Sequence, residues 1–166
     1  VGQSRTIQLV RMSDPVCIYA ALDVGDVRIG VALSRSGVIA EPLSTIERTS
    51  RTQTLDAIQK IIDDNGVTNL VVGLPTLESG IEGEQAEKSR AFARSMQRRI
   101  PHVRIEYFDE RYTSGEAREL AGRRISGGNQ KGLVDRIAAA IILQGFLDHQ
   151  AAQKKKHQLE GDSGTS

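Results

Sequence analysis

Three runs of strand length, separated by turns too short for any crossover, constrain this chain more than any other feature. Val16 to Val24 is mostly apolar, Gly25-Asp26 turns it into Val27 to Ser34, and Gly37 turns that into Val38-Ile39-Ala40-Glu41. Strands joined so closely can only be antiparallel neighbours, because a parallel pair needs a long crossover connection. The pattern then changes. Leu55, Ile58, Ile61 and Ile62 recur at helical spacing, and Gly66 supplies a stop. Thr68 to Gly73 reads as a buried strand and is followed by a polar, Gly-rich loop from Leu74 to Gly83. Phe92, Met96 and Ile100 mark a second helix ended by Pro101, and His102 to Phe108 alternates as a strand should. A short helix is expected near Gly115 to Ala121, then a loose loop from Ser126 to Gly132, then a terminal helix covering Ile137 to Leu147.

The fold class is therefore α/β. Three antiparallel strands followed by α-β-α-β-α, with right-handed crossovers, make one mixed sheet with helices on both faces. At 166 residues the chain fits one domain that buries a core without disulfides. Residues 1–15 read as a flexible arm, 16–149 as the folded domain and 150–166 as a flexible basic and polar tail. The longest apolar stretch, Ile137 to Phe146, is about half the ~20 residues that span a bilayer. No apolar segment follows a basic start, so a cytoplasmic protein without a membrane is expected. The single Cys17 excludes an intrachain disulfide and reads as a small buried hydrophobe.

Carboxylates stand at the exits of three of these elements: Asp23 after the first strand, Asp109-Glu110 after a later one, and Asp135 at the head of the last helix. Such groups brought to one sheet edge raise one another's pKa unless a cation compensates them. Hard oxygen ligands favour Mg²⁺ or Mn²⁺ over zinc. That pattern points to metal-assisted phosphodiester chemistry. Each position also has a plainer reading. Asp23 could open a hairpin turn, Asp109 could cap the following helix, and Asp135 could complement a helix dipole. Adjacent side chains in extended backbone point to opposite faces, so one of Asp109 and Glu110 reaches a shared site; Glu110, with the longer reach, is the first choice.

A net charge of +1 leaves any nucleic-acid footprint to local clusters. Arg111, Arg118, Arg123, Arg124, Lys131 and Arg136 crowd one stretch, and Arg90, Arg94 and Arg98 form a basic stripe. Stripes are usually solvated faces, yet phosphate contacts need the same residues. Gly30 leaves room for a phosphate to approach, the loop from Pro75 to Gly83 could cradle one, and Tyr112 could stack on a base. The chain has no P-loop, dinucleotide fingerprint, zinc-ligand spacing or nucleophile elbow.

Taken in order, Leu22-Asp23-Val-Gly25-Asp-Val-Arg28-Ile-Gly30-Val-Ala32, Val71-Val-Gly73-Leu-Pro75, Gly83 to Ala93, Asp109-Glu-Arg111 and Val134-Asp135-x-x-Ala138-Ala resemble the YqgF/RuvX family. That family is a branch of the ribonuclease-H-like nucleases related to RuvC resolvases, and the likeness covers Tyr19 to Asp148. It implies a ribonuclease-H-like fold and a carboxylate site drawn from Asp23, Asp109/Glu110 and Asp135. Family members are described as Holliday-junction resolvases and as nucleases maturing the 5′ end of pre-16S rRNA. Two departures stand out. Asp26-Val27 replace a usual Thr and basic residue, and Thr76 to Ser79 differ from the usual Leu-Asn-x-Asp.

The expectation is an endonuclease using two Mg²⁺ or Mn²⁺ ions, with Asp23, Glu110 (or Asp109) and Asp135 as ligands and Arg28, Arg111 and Lys131 on the phosphates. The partners implied are nucleic acid, as pre-rRNA or branched DNA, and ribosomal precursor particles; symmetric cutting of a four-way junction would require a homodimer. One rival is a non-catalytic nucleic-acid-binding module. Another is an actin-like ATPase, suggested by Asp23-x-Gly25 and Gly30, which would need a second domain that 166 residues cannot hold.

Overall fold

The computed structural model describes residues 16–77, 79–113, 115 and 130–162. The arm at 1–15, nearly all of the helix expected at 115–121, most of the loop after it, and Arg118, Arg123 and Arg124 lie outside them. Strands β1 (Tyr19–Val24), β2 (Arg28–Ser34) and β3 (Glu41–Glu47) come first, followed by helix α1 (Arg51–Asn65), strand β4 (Asn69–Leu74) and helix α2 (Glu84–Arg99). Strand β5 (Arg104–Asp109) runs into a single 3₁₀ turn (Glu110–Tyr112), and helix α3 (Lys131–Asp162) closes the chain. The sheet order is β3-β2-β1-β4-β5. β1 pairs antiparallel with β2, and β2 with β3; β1 and β4, and β4 and β5, run parallel. This is the mixed sheet that the short turns and crossovers demand. Among the described residues no helix is long and apolar enough to cross a membrane.

The two faces of the sheet carry different residues, and that difference sets what packs on each. Leu22, Ile29, Val31, Leu33, Leu70 and Val72 meet Ile58 and Ile62 of α1 and Phe92 and Met96 of α2. On the opposite face Ala21, Ala32 and Val71 lie at the centre, with Tyr19 and Phe108 also on that face, under Ala139, Ile142, Leu143 and Phe146 of α3. Small residues on a strand let a helix backbone come close. At Gly30 the approach is extreme: a Cβ there would lie 1.9 Å from the carbonyl oxygen of Asp135. The space left by the missing side chain is therefore filled by α3, and is not open to a phosphate as the sequence suggested.

Caps set the helix ends. Ser50 accepts a hydrogen bond from the Gln53 amide at the start of α1, and Gly66 ends it in the left-handed region at φ 63°. Three sequence expectations shift. The third strand lies at Glu41–Glu47 rather than Val38–Glu41, because the Ser36 hydroxyl accepts from the Val38 and Ile39 amides and holds that stretch in a turn. Pro42 is tolerated because β3 is an edge strand, paired on one side only. Cys17 is exposed, since β1 begins two residues after it. Helix α3 starts at Lys131, so Asp135 sits in its second turn, and it continues past His149 to Asp162.

The contact at Gly30 yields a direct test. Gly30→Ala should cost about 3 kcal/mol, the upper end of the penalty for overpacking, because the obstacle is helix backbone rather than a movable side chain. Urea unfolding measures it, and a variant as stable as wild type would show that α3 is not seated on β2 at this point.

Candidate active site at the carboxyl ends of β1, β4 and β5

Asp23 is the fifth residue of β1 and the half-buried one in an otherwise buried strand. Side chains alternate along a strand, so Asp23 shares the α3 face with Ala21. Its two flanks are glycines. Gly30 is its partner on β2. On β4 the register pairs Leu22 with Val72, which brings Gly73 level with Asp23. Each glycine is covered by another acidic residue. The Asp135 backbone lies over Gly30, and a Cβ on Gly73 would come within 2.9 Å of Oε1 of Glu110. Three carboxylate residues far apart in the chain thus meet around the end of β1, on one face.

Arginines hold two of the acidic groups. Arg28 Nε donates to Asp135 Oδ2 at 2.5 Å, an ion pair that is about three-quarters buried on both sides. The helix dipole does not account for Asp135, because its influence falls off beyond the first turn, which here carries no acidic residue. Asp109 is turned elsewhere. It accepts from Thr76 Oγ1 at 2.6 Å, from the Arg111 amide at 2.9 Å and from the Arg111 guanidinium at 2.6 and 2.9 Å. The Arg111 guanidinium beside it, together with Thr76, holds the Asp109 carboxyl down at about 2. Arg111 also lies against Gly80, whose φ of 79° turns the loop back so that Thr76 pairs with Glu82.

The adjacent acids therefore divide the work: Asp109 ties the loop to the end of β5, and Glu110 reaches over β4 toward Asp23. Arg111 is engaged with Asp109, and Lys131 opens α3. Arg90 binds Glu82 and stacks over Tyr107, while Arg94 binds Glu87, so the expected basic stripe is largely neutralised. Tyr112 is 65% exposed and faces His149 at 5.9 Å. Sequence reasoning missed the roles of Thr76 and Gly73; the Gly73-Leu-Pro-Thr76 run was visible, but what crosses it was not.

As a donor set, Asp23, Glu110 and Asp135 fit a hard divalent ion in kind, being carboxylates from three elements that converge on one face. Among the described residues, however, no three Asp, Glu, His or Cys side chains gather closely enough to hold one. Arg28 supplies the positive charge beside Asp135.

The Asp109 cluster predicts a pH-dependent contribution to stability. A carboxyl whose folded pKa is lowered stabilises the fold above its ordinary value near 3.8 and loses that effect as pH falls toward about 2. Wild type should be more stable than Asp109→Asn at pH 6, with the difference shrinking between about pH 4 and 2. Urea unfolding across that range checks it; a difference independent of pH would assign the stability to something other than this charge.

Comparison with known proteins places the chain in a family. The family model of RuvX, described as Holliday junction resolvase, matches residues 17–149. A protein of Acaryochloris marina named "Putative pre-16S rRNA nuclease" is 42% identical over 131 residues, which is 78% of this chain and 90% of that protein. Proteins of the same name from Crocosphaera subtropica and Carboxydothermus hydrogenoformans are 44% identical over 133 residues and 39% over 132. The matches span 79% and 78% of this chain and 92% and 95% of those proteins. In fold, the chain is similar to T. thermophilus RuvC solved with a Holliday junction substrate, with a TM-score of 0.50 at 10% identity over 81% of this chain and 96% of that one. The mixed sheet is thus of the RuvC-like, ribonuclease-H-like kind, and the chain belongs to the RuvX family.

Proposed function

We propose that this protein is a divalent-metal-dependent endonuclease that cuts phosphodiester bonds, with the 5′ end of pre-16S rRNA as its substrate. The observation that carries the reading is the meeting of Asp23, Glu110 and Asp135 around two glycines on one face of the sheet. Family membership supplies the class of reaction, and the names of the similar proteins supply the substrate. Asp23, Glu110 and Asp135 would hold Mg²⁺ or Mn²⁺, which in such sites lowers the pKa of a bound water and stabilises the leaving oxygen. Asp23 sits at the centre because its strand is central and its neighbours have no side chains. Glu110 is aimed across β4 by the 3₁₀ turn that Asp109 caps. Asp135, which pairs with Arg28, would be the third ligand, and Arg28, Arg111 and Lys131 would contact substrate phosphates. The setting is the cytoplasm, on ribosomal precursor particles.

The family model's description favours a second substrate, a four-way DNA junction, which two copies related by a two-fold axis would cut symmetrically. Cleavage of a labelled pre-16S leader RNA and of a four-way junction, each with Mg²⁺, with Mn²⁺ and with chelator, separates the two. Wild type should cut the RNA only when metal is present. Asp23→Asn and Glu110→Gln should each lower the rate by roughly 10²-fold or more, the scale of losing one charged group at a reacting centre. Asp109→Asn should keep most of the rate. Paired cuts in the junction would move the substrate to branched DNA, and turnover retained by Asp23→Asn would sink the nuclease reading.

A further inference from the structure

On the face of the sheet opposite Asp135, a cleft of about 510 Å³ opens at the same edge, between the β1–β2 turn, the start of α1 and the middle of α2. Three cations line it: Arg48, Arg51 and Lys88. Lys88 is neutralised by Asp26 and Glu84, at 3.1 and 3.2 Å. The two arginines are different. Among the described residues neither forms an ion pair with a carboxylate, and both are exposed. Each is nevertheless fixed. Arg48 Nη1 donates to the carbonyl of Gly25 at 2.8 Å and its guanidinium lies 5.5 Å over the Phe92 ring. Arg51 Nη2 donates to Ser95 Oγ. Holding a guanidinium in place lowers the ordering cost of binding, and its planar fork matches phosphate oxygens.

We infer that this cleft binds the phosphate backbone of the nucleic-acid strand cut at Asp23, with Arg48 and Arg51 as the phosphate contacts. The inference rests on the nuclease reading above. Arg48 grips the carbonyl only two residues beyond Asp23, so a strand passing over the β1–β2 turn reaches both places. The charge does not depend on the opening of α1, whose first turn is capped by its own Ser50.

The test is binding of a labelled single-stranded RNA, measured by fluorescence anisotropy in chelator across a range of salt. Replacing both arginines with glutamine (Arg48→Gln with Arg51→Gln) should lower the slope of log affinity against log salt by about 1.4, and affinity at 0.1 M salt by roughly 25-fold. The lysine pair (Arg48→Lys with Arg51→Lys) should keep the slope. In wild type, RNA should protect both arginines from a guanidine-specific dicarbonyl reagent, mapped by mass spectrometry, which needs no folded variant. An unchanged slope in a glutamine pair that melts like wild type, or no protection, overturns the inference. So does a cleft whose only response is a rise in melting temperature with inorganic phosphate, which would make it a free-phosphate site. Because no cutting occurs in chelator, these results are independent of the Asp23→Asn cleavage test that judges the nuclease reading.

Discussion

The close seat of α3 on β2 is the constraint on which the rest of the site depends. Helix backbone occupies the place of a side chain at Gly30, and Ala21 and Ala32 keep the surrounding face shallow. A helix on an ordinary strand surface would ride higher by the thickness of its side chains. Here Asp135 is instead lowered onto the sheet beside Asp23, and Arg28, two residues before Gly30, is placed to reach it. One glycine thus sets the height of a helix, the position of a carboxylate and the partner of an arginine. At Gly73 the absent side chain does the corresponding thing for Glu110, whose carboxylate and Ile142 of α3 share the space.

Acidic residues gathered this way need compensation, and the chain provides it unequally. Lys60–Asp64 is an exposed pair of the kind worth about 0–1 kcal/mol and is incidental. Arg28–Asp135 and Arg111–Asp109 are more sheltered, where solvent screens less. Arg111–Asp109 fixes the loop after β4. Arg28–Asp135 sits where a divalent ion would compete for the same oxygen. An arginine in that place keeps the acids compatible with folding at any pH, because its charge never titrates away.

Much of the fold was legible because it follows from chain length between strands. The short turn at Gly25 to Val27 forces antiparallel neighbours, and the helical spacing of Leu55, Ile58 and Ile62 forces a crossover to β4. The third strand was misplaced for a physical reason. Val38 and Ile39 look like strand residues yet are exposed in a turn, whereas β3 contains Pro42 and only Leu43 and Ile46 pack inward. Edge strands carry weak patterns because half their backbone has no partner. In the site, the acidic positions could be picked from strand ends, but the division between Asp109 and Glu110 could not. It depends on Thr76 and Gly80, residues from a loop some thirty positions earlier. The cleft at Arg48 and Arg51 was invisible for the same reason, since it joins a turn, a cap and the middle of a helix.

The family departure at Asp26 illustrates how such a change is absorbed. An extra acid three residues from Asp23 would be unfavourable if it shared the carboxylate face, where negative charge is already concentrated. Asp26 instead lies in the turn and is held by Lys88 of α2, on the side of the sheet where Arg48 and Arg51 stand. The departure therefore adds negative charge to the cationic face and leaves the acidic one unaltered. Its cost falls on Lys88, whose charge is spent on Asp26 and Glu84. Among the described residues, that leaves the two arginines as the cleft's cations without a carboxylate partner. Asp23 and Asp135 thus lie on the α3 side of this edge, with Arg28 beside Asp135, and Arg48 and Arg51 lie on the side of α1 and α2. The proposed phosphate contacts and Asp23 are thereby only one turn apart, since Arg48 grips the carbonyl of Gly25, two residues beyond Asp23.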